Sequence, residues 1–177
     1  MKTQTFREFS KKRILPAIIE IDGQKFPNVS VKLPPYCYLT FNERDISVNN
    51  IVPLTSQKGK EVLEHLPYAE IEKVEINPVQ KLTVVIIAPG TRINLDLKLL
   101  LTDGTQFHFE CEDMTMLPKL ASIFSSHYVP VTDSFGLVEI FKTSASNRAA
   151  YDYLEENAEV IAAQKNLKIL RVTQMEE

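Results

Sequence analysis

Tryptophan is absent from this 177-residue chain, which also has only two cysteines and five glycines. Each shortage excludes something. Cys37 and Cys111 stand far apart and neither belongs to a Cys-x-x-Cys pair, so a disulfide framework or a structural zinc site is not expected. Two buried free thiols are expected instead, compatible with a reducing compartment. The glycines form no Gly-x-Gly or Gly-x-x-x-x-Gly-Lys arrangement, which removes the usual phosphate cradles. No apolar run approaches the ~18 residues of a membrane span. The stretch Ile14-Leu15-Pro16-Ala17-Ile18-Ile19 is too short for a secretory signal, and no small-residue cleavage site follows it. The expected location is cytoplasmic. The single Asn28-Val29-Ser30 sequon is of a kind that arises by chance.

What is present suits a folded domain: 44% of residues are hydrophobic and 24% charged, and a chain of this size buries roughly 70% of its unfolded surface without staples. Charge is uneven. Residues 1–13 hold Lys2, Arg7, Lys11, Lys12 and Arg13 against Glu8, a net of +4; the total is −3, so residues 14–177 carry −7 by subtraction. An acidic body argues against nucleic-acid binding. The basic segment, with Phe6 and Phe9, reads equally as a frayed arm or a short docking helix, and Lys11, Lys12 and Arg13 are its candidates for touching an anionic membrane surface.

The punctuation predicts an α+β chain, mostly antiparallel β-sheet. Short β-type runs occupy Ala17–Ile21, Asn28–Leu33, Tyr36–Phe41 and Asp45–Val48, separated by Asp22-Gly23, Pro34-Pro35 and Asn42-Glu43-Arg44. Cys37 shares a face with Leu39 and Phe41, which predicts a core cysteine. Residues 49–69 break the rhythm: Thr55 or Ser56 would cap a short helix containing Val62, Leu63 and Leu66, ended by Pro67. Strands resume at Ala69–Ile76 and at Lys81–Ala88, the second nearly continuous in apolar residues, with Pro89-Gly90 as the next turn.

The hairpin from Ile93–Leu101 to Thr105–Cys111 has its register set by hydrophobic pattern. A two-residue Asp-Gly turn would set Leu99 against His108 and Leu97 against Glu110. A three-residue loop, Thr102 to Gly104 with Gly104 left-handed, sets Leu99 against Phe107 and Leu97 against Phe109. A one-residue slip inverts every side chain, so the second register is expected. Asp113 or Thr115 then caps a helix to Ser125, with Pro118 in its first turn and Leu117, Leu120, Ala121 and Phe124 on one face. Tyr128–Val131 and Gly136–Lys142 read as extended. Ser146 caps a helix to about Gln164 with Ala150, Tyr153, Leu154, Asn157 and Ile161 along one side. Asn166 is its left-handed stop, and Leu167–Val172 closes as a strand. The chain thus divides into a basic arm (1–13), a β-rich domain (14–127) and a C-terminal strand–helix–strand lobe (128–177) packed on it.

From about Ile19 to His127 the order is short strands, Pro67-Tyr68-Ala69-Glu70-Ile71-Glu72-Lys73-Val74, long strands, a Leu100–Gly104 hairpin turn and an acid-capped helix. This resembles the pleckstrin-homology-like domains of bacteria, GRAM-type ones included. The resemblance implies a strongly bent antiparallel barrel with one open corner plugged by the helix around Leu117–Phe124. Phosphoinositide-binding members cluster basic residues in and after the first hairpin. Here only Lys25 and Lys32 stand there, beside Glu20 and Asp22, and the capping helix lacks the tryptophan usual in eukaryotic relatives. Residues 128–177 lie outside the resemblance.

No constellation of catalytic residues, metal ligands or cofactor contacts emerges. His108 and Glu110 share an outward face with Asp96 and Lys98 across from them, which predicts cross-strand ion pairs on a solvated face, each worth ~0.2–1 kcal/mol, over a metal or proton-transfer site. His65 and His127 sit on or at the ends of expected helices, where the dipole accounts for His127. Cys111 and His108 point to opposite faces of one strand, so they make no nucleophile–base pair. Serines cluster at helix ends (Ser125, Ser126, Ser144, Ser146) without Gly-x-Ser-x-Gly. Glu110/Glu112, Glu155/Glu156 and Glu176/Glu177 read as solvated charge. The expectation is a non-enzymatic binding or scaffold module for a protein partner, using an exposed sheet edge or a groove between barrel and lobe. The runner-up is a peripheral membrane-surface or lipid-headgroup module using the basic arm, and the third is a small enzyme whose site is assembled from distant residues.

Overall fold

In the computed structural model, residues 3–11, 13–27, 35–52, 57–85 and 88–172 are described. The expected strand Asn28–Leu33, the sequon, Lys12 and Lys32 lie outside them. The architecture is α+β, as expected. In chain order the elements are α1 (Thr3–Ser10), β1 (Ile14–Ile21), β2 (Gln24–Phe26), β3 (Cys37–Phe41), β4 (Asp45–Val52), β5 (Gln57–Pro67), a 3-10 turn at Tyr68–Glu70, β6 (Ile71–Val85), β7 (Ala88–Leu101), β8 (Gln106–Cys111), α2 (Leu117–Ser126), β9 (Val131–Thr132), α3 (Leu137–Thr143), α4 (Asn147–Gln164) and β10 (Leu170–Val172).

The β7–β8 hairpin takes the register that its leucines and phenylalanines demand. Leu99 pairs with Phe107, Leu97 with Phe109 and Leu95 with Cys111, all completely buried. The three-residue loop closes through Gly104 at φ +81°, whose N–H donates to the Leu101 carbonyl at 2.9 Å. Asp22 and Gly23 are both left-handed, φ 50° and 75°, which turns β1 into β2 in the two-residue form that suits twisted strands.

Strand order is β10-β6-β7-β8-β1-β3-β4-β5, with β2 beside β1 and β9 beside β6. The β1 pairings with β3 and β8 are parallel, as are those of β6 with β9 and β10; the others are antiparallel. The sheet is not closed into a barrel, whereas the resemblance implied a strongly bent one with a single open corner. β5 and β6 follow one another through the 3-10 turn, yet β5 pairs with β4 and β6 with β7. No ladder joins them among the described residues.

Three segments depart from the sequence expectations, each for a local reason. Residues 57–67 are strand, not helix. Between Val48↔Glu64 and Asn49↔Val62 the register shifts, leaving Leu63 as an extra residue. The bulge lets Leu63 and Leu66 both enter the core at a spacing that imitates a helix. Ala69–Ile76 and Lys81–Ala88 are not separate strands, because β6 runs through Pro78 without a break to Val85 and β7 begins at Ala88. Pro78 occupies the stretch that neither β9 (Val74, Glu75) nor β10 (Val79 to Lys81) pairs, an edge position where a missing N–H is tolerated. Gly136–Lys142 is a helix, not extended. The Asp133 carboxylate accepts from the N–H groups of Gly136, Leu137 and Val138 at 2.8–2.9 Å, satisfying the donors a helix start leaves open.

One core spans the molecule. Leu15, Ile19, Ile21, Cys37, Leu39, Leu95, Leu97, Phe107 and Phe109 supply the sheet side. Leu117, Leu120 and Phe124 of α2 and Ala150, Leu154, Ala158, Ile161 and Ala162 of α4 cover it. Ser146 caps α4 through the Ala149 N–H, and Asn166 ends it at φ 53°. The buried stripe of α4 differs from the expected one: Tyr153 is exposed, and Asn157 bonds its amide to the Tyr153 carbonyl at 2.8 Å.

Candidate functional site

The face expected to be solvated is not. On the side of β7 and β8 away from the leucines, Asn94 and Asp96 are completely buried and Glu110 nearly so. Asp96 and Glu110 are directly opposite one another on adjacent strands, two acidic side chains whose burial requires polar partners. Each has its own. Lys81 of β6, also buried, donates to both Glu110 oxygens at 2.9 and 3.1 Å, with the Asn94 amide on Oε1 at 2.7 Å. His108 lies diagonally across from Asp96, 3.2 Å from both carboxylate oxygens. Arg92–Glu112 and Lys98–Glu75 continue the alternation outward. The Lys73 hydrogen bond, joined by Lys98, holds the Glu75 carboxyl below its ordinary range. Each of these side chains has a polar partner on a neighbouring strand, so the arrangement fits a structural lock between strands better than a site awaiting a substrate. A cavity of only about 10 Å³ adjoins Lys81, Glu110 and Glu112.

The other titratable groups are also accounted for locally. His65 Nδ1 lies 3.0 Å from Asp45 and 3.5 Å from Ser47 Oγ. A relay would need acid and serine on different ring nitrogens, and here both face one. For Asp45, burial is outweighed by hydrogen bonds from Asn42 and His65, leaving its carboxyl below the ordinary range. His127 stacks on Tyr68 with ring centres 3.8 Å apart. Burial pushes the Cys111 thiol up to about 12 and raises Cys37 further, so neither is a nucleophile at neutral pH. No group of three or more histidine, cysteine or acidic side chains with metal-binding geometry occurs among the described residues.

The basic segment folds back on the body. Within α1, Phe6 is buried and stacks on Phe107. Arg7 pairs with Glu64 at 2.6 Å and approaches Asp103 at 3.8 Å. Lys11 pairs with Glu8, and the Arg13 guanidinium lies 4.8 Å over the Phe9 ring, which also touches Tyr36. The aromatic groups that would enter a membrane interface are therefore engaged within the chain, and only Lys11 and Arg13 among the described candidates face solvent. On spinning with vesicles of mixed phosphatidylserine and phosphatidylcholine at about 0.1 M salt, the full chain is expected to stay in the supernatant. Pelleting that Lys11→Glu abolishes would reinstate the arm as a membrane contact. Among the described residues no helix is long and apolar enough to cross a membrane.

A concavity lies within the C-terminal lobe, between α3 and α4. It encloses about 580 Å³. Phe135, Ile140 and Ile161 form an apolar floor, while Glu139, Tyr153 and Gln164 stand on its rim. Lys165 at one end donates to the carbonyls of Ser134 and Phe135 at 2.9 and 3.0 Å. That bond ties the end of α4 to the turn before α3. Sequence reading missed this groove because it missed α3. The signal was Asp133, placed three to five residues ahead of the N–H groups it caps. Residues 1–177 match no known protein family, curated protein or solved structure.

Proposed function

We propose that the protein is a non-catalytic binding module that recognises a protein partner through the α3–α4 groove. The observation that carries this reading is the contrast between two regions. The acidic side chains buried in the sheet have polar partners on neighbouring strands, whereas the groove is open, apolar at its floor and ringed by polar groups. Its lining contains no histidine or cysteine and no nucleophile–base pair. Pockets that bind through shape and a few polar groups have this composition, and a helix or extended peptide docking between helices is a recurring mode of recognition. The exposed edge of β5 supports strand addition less well. Its solvent-facing positions carry Lys58, Lys60 and Glu61, the kind of charge that discourages edge pairing.

The test is selection of displayed random peptides against the full chain. Peptides recovered repeatedly are expected to lose binding to Ile140→Asp and to Tyr153→Asp, both folded by circular dichroism. If recovered peptides bind these variants as well as the parent, recognition lies elsewhere and the reading fails.

A further inference from the structure

Resting on that reading, we infer that the occupant of the α3–α4 groove is a short amphipathic helix of a partner protein whose polar face is basic. Shape is the first argument. Helices in contact lie ~8–10 Å apart and close the space between them. Here about 580 Å³ remains open, and since ~150 Å³ holds a benzene-sized group, three or four apolar side chains would fit. Tyr153 and Gln164, at opposite ends of the α4 wall, are eleven residues apart, or ~16 Å along the axis. That is about three helical turns, the length that presents anchors at i, i+3 or i+4, and i+7.

Charge is the second argument and identifies the partner's sign. Within α4, Arg148 faces four acids, Asp152, Glu155, Glu156 and Glu159, a net of −3; within α3, Glu139 and Lys142 cancel. Glu139 lines the groove, and Glu156 lies one turn from both Tyr153 and Val160, two apolar side chains about half exposed. The carboxylates of Glu139, Glu155 and Glu156 make no ion pair among the described residues. Lys165, the cation on the rim, is directed at two backbone carbonyls. A partner helix with lysine or arginine flanking its apolar stripe meets Glu139 on the α3 wall and Glu156 beside Tyr153 at the edge of α4. The chain's own basic helix cannot fill this role, because the apolar face of α1 is committed to Phe107.

Three designed helical peptides decide it, alike in their leucine and phenylalanine positions and carrying lysine, glutamine or glutamate elsewhere. Each is titrated into the full chain, with affinity read by anisotropy and location by backbone amide shifts. The lysine peptide is expected to bind about tenfold more tightly than the glutamine peptide. It should shift residues 135–144 and 153–165, and lose its advantage against the Glu139→Lys/Glu156→Lys variant. Equal binding of all three in the groove would overturn the charge inference and leave the groove reading standing. Shifts confined to other surfaces, or no binding by any peptide, would overturn both.

Discussion

Replacing Glu110 by leucine is expected to destabilise the protein by about 3–5 kcal/mol, because it strands the Lys81 ammonium in a site from which water is excluded. Both side chains are more than nine-tenths buried, so solvent cannot take over the carboxylate's role. Relief of the Asp96–Glu110 proximity offsets a small part of the loss. In the double variant Lys81→Met/Glu110→Leu neither charge remains, and only the Asn94 amide loses an acceptor, at a cost of ~1–3 kcal/mol. The double variant is therefore expected to be more stable than either single one. Urea unfolding of the four proteins measures the coupling directly. A loss below about 1 kcal/mol for Glu110→Leu would show that water reaches Lys81 and that the pair is not the lock described above.

Leu154→Ala should cost about 2–5 kcal/mol in the same assay, with a single cooperative transition. Leu154 is completely buried on α4 and belongs to the same core as the leucines of β7. The lobe is also tied in by backbone: β9 pairs with Val74 and Glu75, and β10 with Val79 to Lys81, all on β6. A chain ending at Asp133 loses α3, α4 and β10 together, and should be poorly folded or insoluble. If residues 1–133 gave a soluble monomer with the parent's thermal midpoint, the lobe would be an appendage and not part of the cooperative unit.

Where one periodicity held without interruption, the sequence was readable. The β7–β8 register follows from odd-numbered leucines meeting odd-numbered phenylalanines, since the alternative buries His108 and Glu110 among leucines. α2 shows itself by the spacing of Leu117, Leu120 and Phe124. Legibility failed where a local device altered the period. The Leu63 bulge gave β5 a helical spacing, and Asp133 started a helix in a segment whose Val138, Ile140 and Phe141 favour strands. The ion pairs on the second face were foreseen as pairs, but Lys81 was not among them. It stands two strands away from Glu110 in a run that reads as apolar, and only the β6–β7 register brings it across. For the candidate groove the gap is wider. Its walls are α3, which was not expected, and Tyr153, which was expected inside.

The outer edge of β6 carries a consequence for synthesis. Its hydrogen-bonding groups near Val79 to Lys81 are completed by Leu170 to Val172, about ninety residues later in the chain. At ~5–20 residues per second, a ribosome leaves that edge unpaired for roughly 5–18 s, while β7 and β8 are already available to zip against the other side. A nascent sheet with one bare flank pairs readily with a neighbour on the same message. The interval between the two strands, more than the stability of the finished fold, then sets how much of the product reaches it at high expression. Slower growth at low temperature lengthens the exposure even as it weakens hydrophobic association.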